Sequence, residues 1–155
     1  KQTEKTIVAD FNNAGVGKVK PSQMSNADLV QEIANRANNT VNKQLSNAGK
    51  PIYGSTAGTL KHSYAAKVLD RYQSLFGNRG LEVEKNWLGN MRVNGNLKGS
   101  TRLDVYDILN NKVYDYKFVM PQNVGKGLKQ SQINKIINQG PSGLTPGDIF
   151  EVNPR

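Results

Sequence analysis

The chain contains no cysteine and a single histidine, His62. Without cysteine there is no disulfide scaffold, no thiol nucleophile and no Cys-built zinc site. Any His-dependent triad or metal centre has to be built around His62. The lack of cysteine leaves the compartment open. Acidic residues are also in deficit: 12 against 21 Lys plus Arg, a net charge of +9 at pH 7 and a pI of about 9.8. No apolar run approaches the roughly 18 residues that a membrane span needs. No signal peptide is expected, because Lys1 to Lys5 is polar and Thr6 to Ala9 is too short for an apolar core. The chain opens on Lys1 rather than Met, as expected of a piece cut from a longer protein. At 155 residues it has the size of one ordinary domain, or a domain with a small appendage, and can bury a core without covalent staples.

A charge of +9 on 17.1 kDa repels itself and calls for a partner class. Polyanions come first: nucleic acid, an anionic membrane surface or an acidic protein. A merely soluble basic domain is the alternative on charge alone. The basic residues are spread along the sequence rather than gathered in a tail, which fits a folded surface.

Apolar positions Leu29, Ile33, Ala37, Val41 and Leu45 recur every four residues and predict a helix over Met24 to Leu45. Ser25 is its N-cap, with Asp28 three residues on. A glycine- and proline-marked loop spans 47–58. Leu60, Tyr64, Val68, Tyr72 and Phe76 form the stripe of a second helix over Thr59 to Phe76, stopped by Gly77-Asn78. The period then changes to two. Leu81 and Val83 open a strand that runs towards Leu88, residues 90–100 read as an irregular hairpin or loop, and Thr101 to Leu109 is a second strand. Asn110-Asn111 reads as a tight turn and Lys112 to Val119 as a third strand. A third helix over Leu128 to Gln139 and a short strand over Asp148 to Val152 complete the chain. The expectation is an α/β fold: a small mixed sheet flanked by helices in α-β-β-β-α-β order over 59–155, preceded by a helical appendage and linker over 1–58.

Polar chemistry is densest on the predicted hairpin 102–118. Alternation puts Asp115 and Lys117 on one face. With a two-residue turn at Asn110-Asn111, Asp104 faces Lys117 and Asp115 lies one diagonal step away. Two carboxylates that close repel unless something positive lies between them. A hard cation with oxygen ligands, Mg²⁺ or Mn²⁺ first and Zn²⁺ as an alternative, meets that need. Lys117 beside it can place water and offset charge on a phosphate. The competing reading is a surface hairpin with a cross-strand Asp–Lys pair of little energetic weight.

The strings Lys61-His62-Ser63-Tyr64-Ala65, Leu69-Asp70-Arg71-Tyr72-Gln73, Arg102-Leu103-Asp104-Val105, Asp115-Tyr116-Lys117-Phe118 and Ile133-Asn134-Lys135-Ile136 resemble the C-terminal nuclease toxin domains of bacterial polymorphic toxins. These are of the contact-dependent growth inhibition or Rhs type, within the PD-(D/E)XK nuclease superfamily. The resemblance covers roughly 24–152. It implies Asp104 and Asp115 as metal ligands and Lys117 as catalytic lysine, with Leu103 standing where the family name has Pro. The acid often found on the first core helix is not evident, since Thr59 to Phe76 offers only Asp70. Glu84 ranks first as third acid, ahead of Glu82, Asp107 and Glu32. The resemblance further implies delivery from a larger secreted or surface protein and action in the cytoplasm of a target bacterium. The expected partners are a DNA substrate, with tRNA as the alternative, and a cognate immunity protein whose acidic face would answer the charge of +9. No stable membrane insertion is expected.

Three further features carry two readings each. His62 is either an assisting acid/base or phosphate contact, or a helix-terminal histidine satisfied by a hydrogen bond. Gln132, on the inward face of the last helix, either bonds a nucleophilic water or a ligating acid, or caps strand ends. The amides of Gly125-Lys126-Gly127 either hold a phosphate or belong to a connector. Tyr114 and Tyr116 read as core. A non-catalytic basic nucleic-acid-binding module and a metal-free RNase using His62 as base complete the expectations.

Overall fold

The computed structural model describes residues 20–155; the first 19 residues of the predicted appendage lie outside that range. Three helices, α1 (Asn26–Asn47), α2 (Ser55–Phe76) and α3 (Gln130–Gln139), flank a five-stranded sheet of β1 (Leu81–Leu88), β2 (Met91–Val93), β3 (Thr101–Asp107), β4 (Lys112–Tyr116) and β5 (Ile149–Val152). The strand order is β2-β1-β3-β4-β5, with β5 parallel to β4 and the other pairs antiparallel. The fold class is α/β, as expected. β2 is an addition, pairing with β1 inside the stretch read as irregular, so four strands rather than three lie between α2 and α3.

The sheet has a core on each face. Against one face α1 and α2 pack Leu29, Val30, Ile33, Leu69 and Tyr72 onto Leu81, Val105, Tyr114 and Tyr116. Against the other, α3 and the following loop pack Ile136 and Leu144 onto Leu103, Tyr106, Val113 and Ile149. Of the predicted appendage, α1 packs into the main core, and residue 58 falls inside α2. Ser25 caps α1 as predicted, its Oγ accepting the Asp28 amide at 3.1 Å.

The register of β3 on β4 differs from expectation. Val105 pairs with Tyr114, Tyr106 with Val113 and Asp107 with Lys112. The connection is thus the four residues 108–111, not a two-residue turn. Its cause is Asp107: the buried carboxylate accepts the Asn110 amide at 3.1 Å and the Asn110 side chain at 2.8 Å, closing the wider loop, while Asn111 takes the left-handed φ of 52° that asparagine tolerates. The slip is two residues. It therefore changes which residues face each other without changing which side of the sheet they occupy.

Candidate active site

β3 and β4 part company at one end. Their ladder stops at Val105–Tyr114, while β4 continues to pair with β5 through Tyr116–Val152. The Tyr116 amide, released from the ladder, donates to Asp104 Oδ2 at 2.9 Å. A side-chain carboxylate so takes the place of a backbone carbonyl, and the opening between the strands exposes carboxyl groups instead of a closed ladder.

This opening is an open cleft of about 710 Å³ between the N-terminal end of α2 and α3. It is lined by all six residues singled out from the sequence: His62, Glu84, Asp104, Asp115, Lys117 and Gln132. Ser55, Gly58, Thr59, Ser63 and Arg102 complete the wall. Sequence reading missed these five; for those on α2, the glycine and hydroxyl residues opening the helix were the available signal, obscured because it starts at Ser55, five residues before Leu60 opens its apolar stripe.

Asp115 Oδ1 lies 2.9 Å from Lys117 Nζ, and the two side chains are 11% and 20% exposed. The contact is a largely buried ion pair. Burial and the neighbouring Asp104 carboxylate push the Asp115 carboxyl above its ordinary range, outweighing the ammonium of Lys117. Lys117 pairs with Asp115 rather than facing Asp104, the consequence of the register correction.

Lys117 is held from three directions. Its amide donates to Val152 O at 2.9 Å, its carbonyl accepts the Asn153 side chain at 2.9 Å, and its stem lies on Gly127. A Cβ at position 127 would stand 2.8 Å from Lys117 Cγ. The loop that supplies Gly127 is itself built on Glu151, whose two carboxylate oxygens accept the Gly127 and Leu128 amides at 3.1 and 3.0 Å, while Asn153 Oδ1 accepts the Gly125 amide. The amides once considered for a phosphate are thus occupied by the protein's own groups. These hydrogen bonds outweigh burial and bring the Glu151 carboxyl below its ordinary range.

His62 sits one turn into the cleft wall with both ring nitrogens against carbonyl oxygens: Nδ1 2.8 Å from Gly58 O and Nε2 3.0 Å from Tyr116 O. Two acceptors require two donors, which only the protonated ring supplies. Burial opposes that charge, but Asp104 Oδ2 at 3.3 Å and the two carbonyls prevail, and the His62 pKa rises to about 9. His62 is therefore an imidazolium that clamps Asp104 and the end of β4, an arrangement unsuited to a general base. The adjacent Lys61, with no exposed surface, donates to Ile52 O at 2.7 Å and faces the rings of Tyr53 and Phe118, pinning the loop before α2 beneath the cleft.

Glu84 stands opposite Asp104 in the β1–β3 register, between the pairs Val83–Val105 and Lys85–Leu103, and adopts φ 52° in mid-strand. A non-glycine residue in the left-handed region costs on the order of 1–3 kcal/mol and marks a locally strained site. Arg102 lies 3.9 Å from its carboxylate. The other candidate acids are placed elsewhere. Glu82 pairs with Arg92, Asp107 closes its own loop, and Glu32 lies on α1, where burial raises its carboxyl to about 7. Gln132 is exposed rather than inward, and its Oε1 accepts the Lys129 amide at the start of α3. Trp87 packs edge-on against Tyr106 in the core.

A divalent cation fits this donor set in part. Asp115 offers a buried carboxylate beside that of Asp104, a pair of oxygen donors such as a partly hydrated Mg²⁺-like ion uses. Among the described residues no three His, Asp or Glu side chains converge as a ready-made cage. The site suits an ion that keeps most of its water. Among the same residues no helix is long and apolar enough to cross a membrane. Comparisons with protein-family models, curated proteins and solved structures return no match.

Proposed function

We propose that the chain is a metal-dependent nuclease domain of the PD-(D/E)XK type, hydrolysing phosphodiester bonds of DNA, with tRNA as the alternative substrate. The observation that carries this reading is the meeting of Asp104, Asp115 and Lys117 in one open cleft of a protein with net charge +9. Asp104 and Asp115, with Glu84 within the same cleft, would hold the ion. When bound, a divalent cation supplies the Lewis acidity that activates water and offsets phosphate charge. Lys117 presents its ammonium to the scissile phosphate and to the water that attacks it, held on the Gly127 wall. His62 holds the Asp104 carboxylate in place. Water adds across one P–O bond, leaving a phosphate monoester on one fragment and a hydroxyl on the other.

The resemblance supports a toxin role: release into a neighbouring bacterium, action in its cytoplasm, and neutralisation by an immunity protein with an acidic face. A non-catalytic nucleic-acid-binding module is favoured by one observation, the full engagement of Asp104 Oδ2 by Tyr116 N and His62. The two readings separate on incubation with plasmid DNA and total tRNA in Mg²⁺, Mn²⁺, Zn²⁺ or chelator. Cleavage that needs metal and is lost in a folded Asp115→Ala variant supports the nuclease. Unchanged nucleic acid with undiminished binding supports the module, and cleavage persisting in excess chelator overturns the metal.

A further inference from the structure

Beside the main cleft lies a second, more enclosed recess of about 260 Å³, and the two share Arg102, Asp115 and Gln132. Its floor is buried and nearly uncharged: Ser100, Thr101 and Ile136 are 5%, 9% and 4% exposed. Ser100 is fixed there, its hydroxyl donating to Leu97 O at 2.6 Å and its amide to the same carbonyl at 2.9 Å. The rim is cationic. Arg102 is 57% exposed on one side, and Lys135, on α3, is exposed on the other. Gln132 has Oε1 committed to Lys129 N, so the group it offers is its NH₂.

We propose that this recess is a nucleotide subsite, and that the substrate is an unpaired strand which seats one base against Ile136 and Thr101 while Lys135 and Arg102 grip the adjoining phosphates. This deepens the nuclease reading and rests on it for the position of the scissile bond. The physical grounds are the buried floor of Thr101 and Ile136, which suits the face of a base, the cationic rim, which suits phosphates, and continuity with the cleft through Asp115. The volume falls below the roughly 300–1,000 Å³ of pockets that engulf larger ligands and leaves no room for a base pair. A base held in a duplex cannot reach the floor without leaving its stack.

The test is fluorescence anisotropy in chelator, where binding is read without cleavage. The probes are labelled single-stranded DNA, RNA of the same sequence, and each annealed to its complement. The wild type should bind single strands at least about tenfold more tightly than duplex. Lys135→Glu should weaken single-strand binding by about tenfold and lower its salt slope by about 1. Gln132→Trp, which narrows the recess from an exposed position, should weaken single-strand binding about tenfold more than duplex binding. Equal or tighter duplex binding, or equal loss for both forms in the two variants, overturns the subsite. The DNA and RNA arms identify which strand is preferred. Metal-dependent cleavage that is indifferent to Lys135→Glu would leave the nuclease standing without the subsite. The predicted binding pattern without cleavage in any metal would leave the subsite standing without the nuclease.

Discussion

Replacing Asp115 by Asn should stabilise the metal-free protein while abolishing cleavage. Burial and the Asp104 carboxylate raise the Asp115 pKa above its unfolded value of 3.8 despite the ammonium of Lys117 at 2.9 Å. A group whose folded pKa is raised binds its proton more tightly in the native state. Its ionisation therefore subtracts stability as pH rises from about 3.8 through the folded value. Asn has nearly the same shape, carries no charge to desolvate, does not repel Asp104, and keeps an oxygen for Lys117. A gain of about 1 kcal/mol is typical when an electrostatically unfavourable site residue is neutralised, which for a chain of this size is about 2–4 °C in Tm. Differential scanning calorimetry of both proteins in chelator at neutral pH and at pH 4 reads it: the difference should shrink at the lower pH. Adding Mn²⁺ should raise the wild-type Tm, by about 2.7 kcal/mol of stabilisation at a hundredfold excess over Kd, and leave Asp115→Asn almost unmoved. A variant that melts about 5 °C or more below wild type in chelator would refute the reasoning, because Asp115 would then be a structural ion-pair partner.

The other predictions concern the groups around that carboxylate. Gly127→Ala should cut the cleavage rate at least about tenfold in a folded protein, because its Cβ would displace the Lys117 stem; a rate within twofold of wild type would show that the stem does not need that wall. Glu151→Gln should cost about 1–2 kcal/mol in urea unfolding, since a charged acceptor of two amides becomes a neutral one. The wild type's advantage should fade as pH falls, because the depressed Glu151 pKa adds stability only above its unfolded value. In chelator, the His62 imidazolium should contribute up to about 3 kcal/mol below pH 6.5, lost as pH rises through about 9, and His62→Gln should remove that dependence from the melting curves.

Much of this site was legible because strand alternation is local. Asp115 and Lys117 share one side by alternation within β4, and Asp104 joins them because the register slip from the expected turn is even and so preserves the face. What sequence could not provide was the partner of each. Asp107 reads as one more strand acid, and only its burial beside Asn110 and Asn26 shows that it sets the loop length and hence the register. Glu151 likewise reads as an ordinary strand residue, and its capture of the Gly127 and Leu128 amides depends on a parallel strand arriving from beyond α3. His62 was readable as a helix-edge histidine; that both its nitrogens meet carbonyls needs the end of β4 alongside α2.

The cleft itself follows from a ladder that stops early. Had β3 and β4 paired on past Val105 and Tyr114, the Tyr116 amide would be consumed by backbone, and nothing would draw the Asp104 carboxylate to the end of β4. Instead β4 runs on with only its other neighbour, β5, Asp104 substitutes for the missing carbonyl, and the His62 ring lies 3.3 Å from the carboxylate so placed. Glu84, opposite Asp104, turns through left-handed backbone at the same level of the sheet. Three departures from regular sheet thus coincide around Asp115. Local rules and global fold usually agree, and where they are broken together at an open surface the cost is compensated by function more readily than by stability. The metal-linked stabilisation of Asp115 is therefore the quantity to measure first, because a purely structural Asp115–Lys117 pair beside Asp104 would gain nothing from a divalent ion.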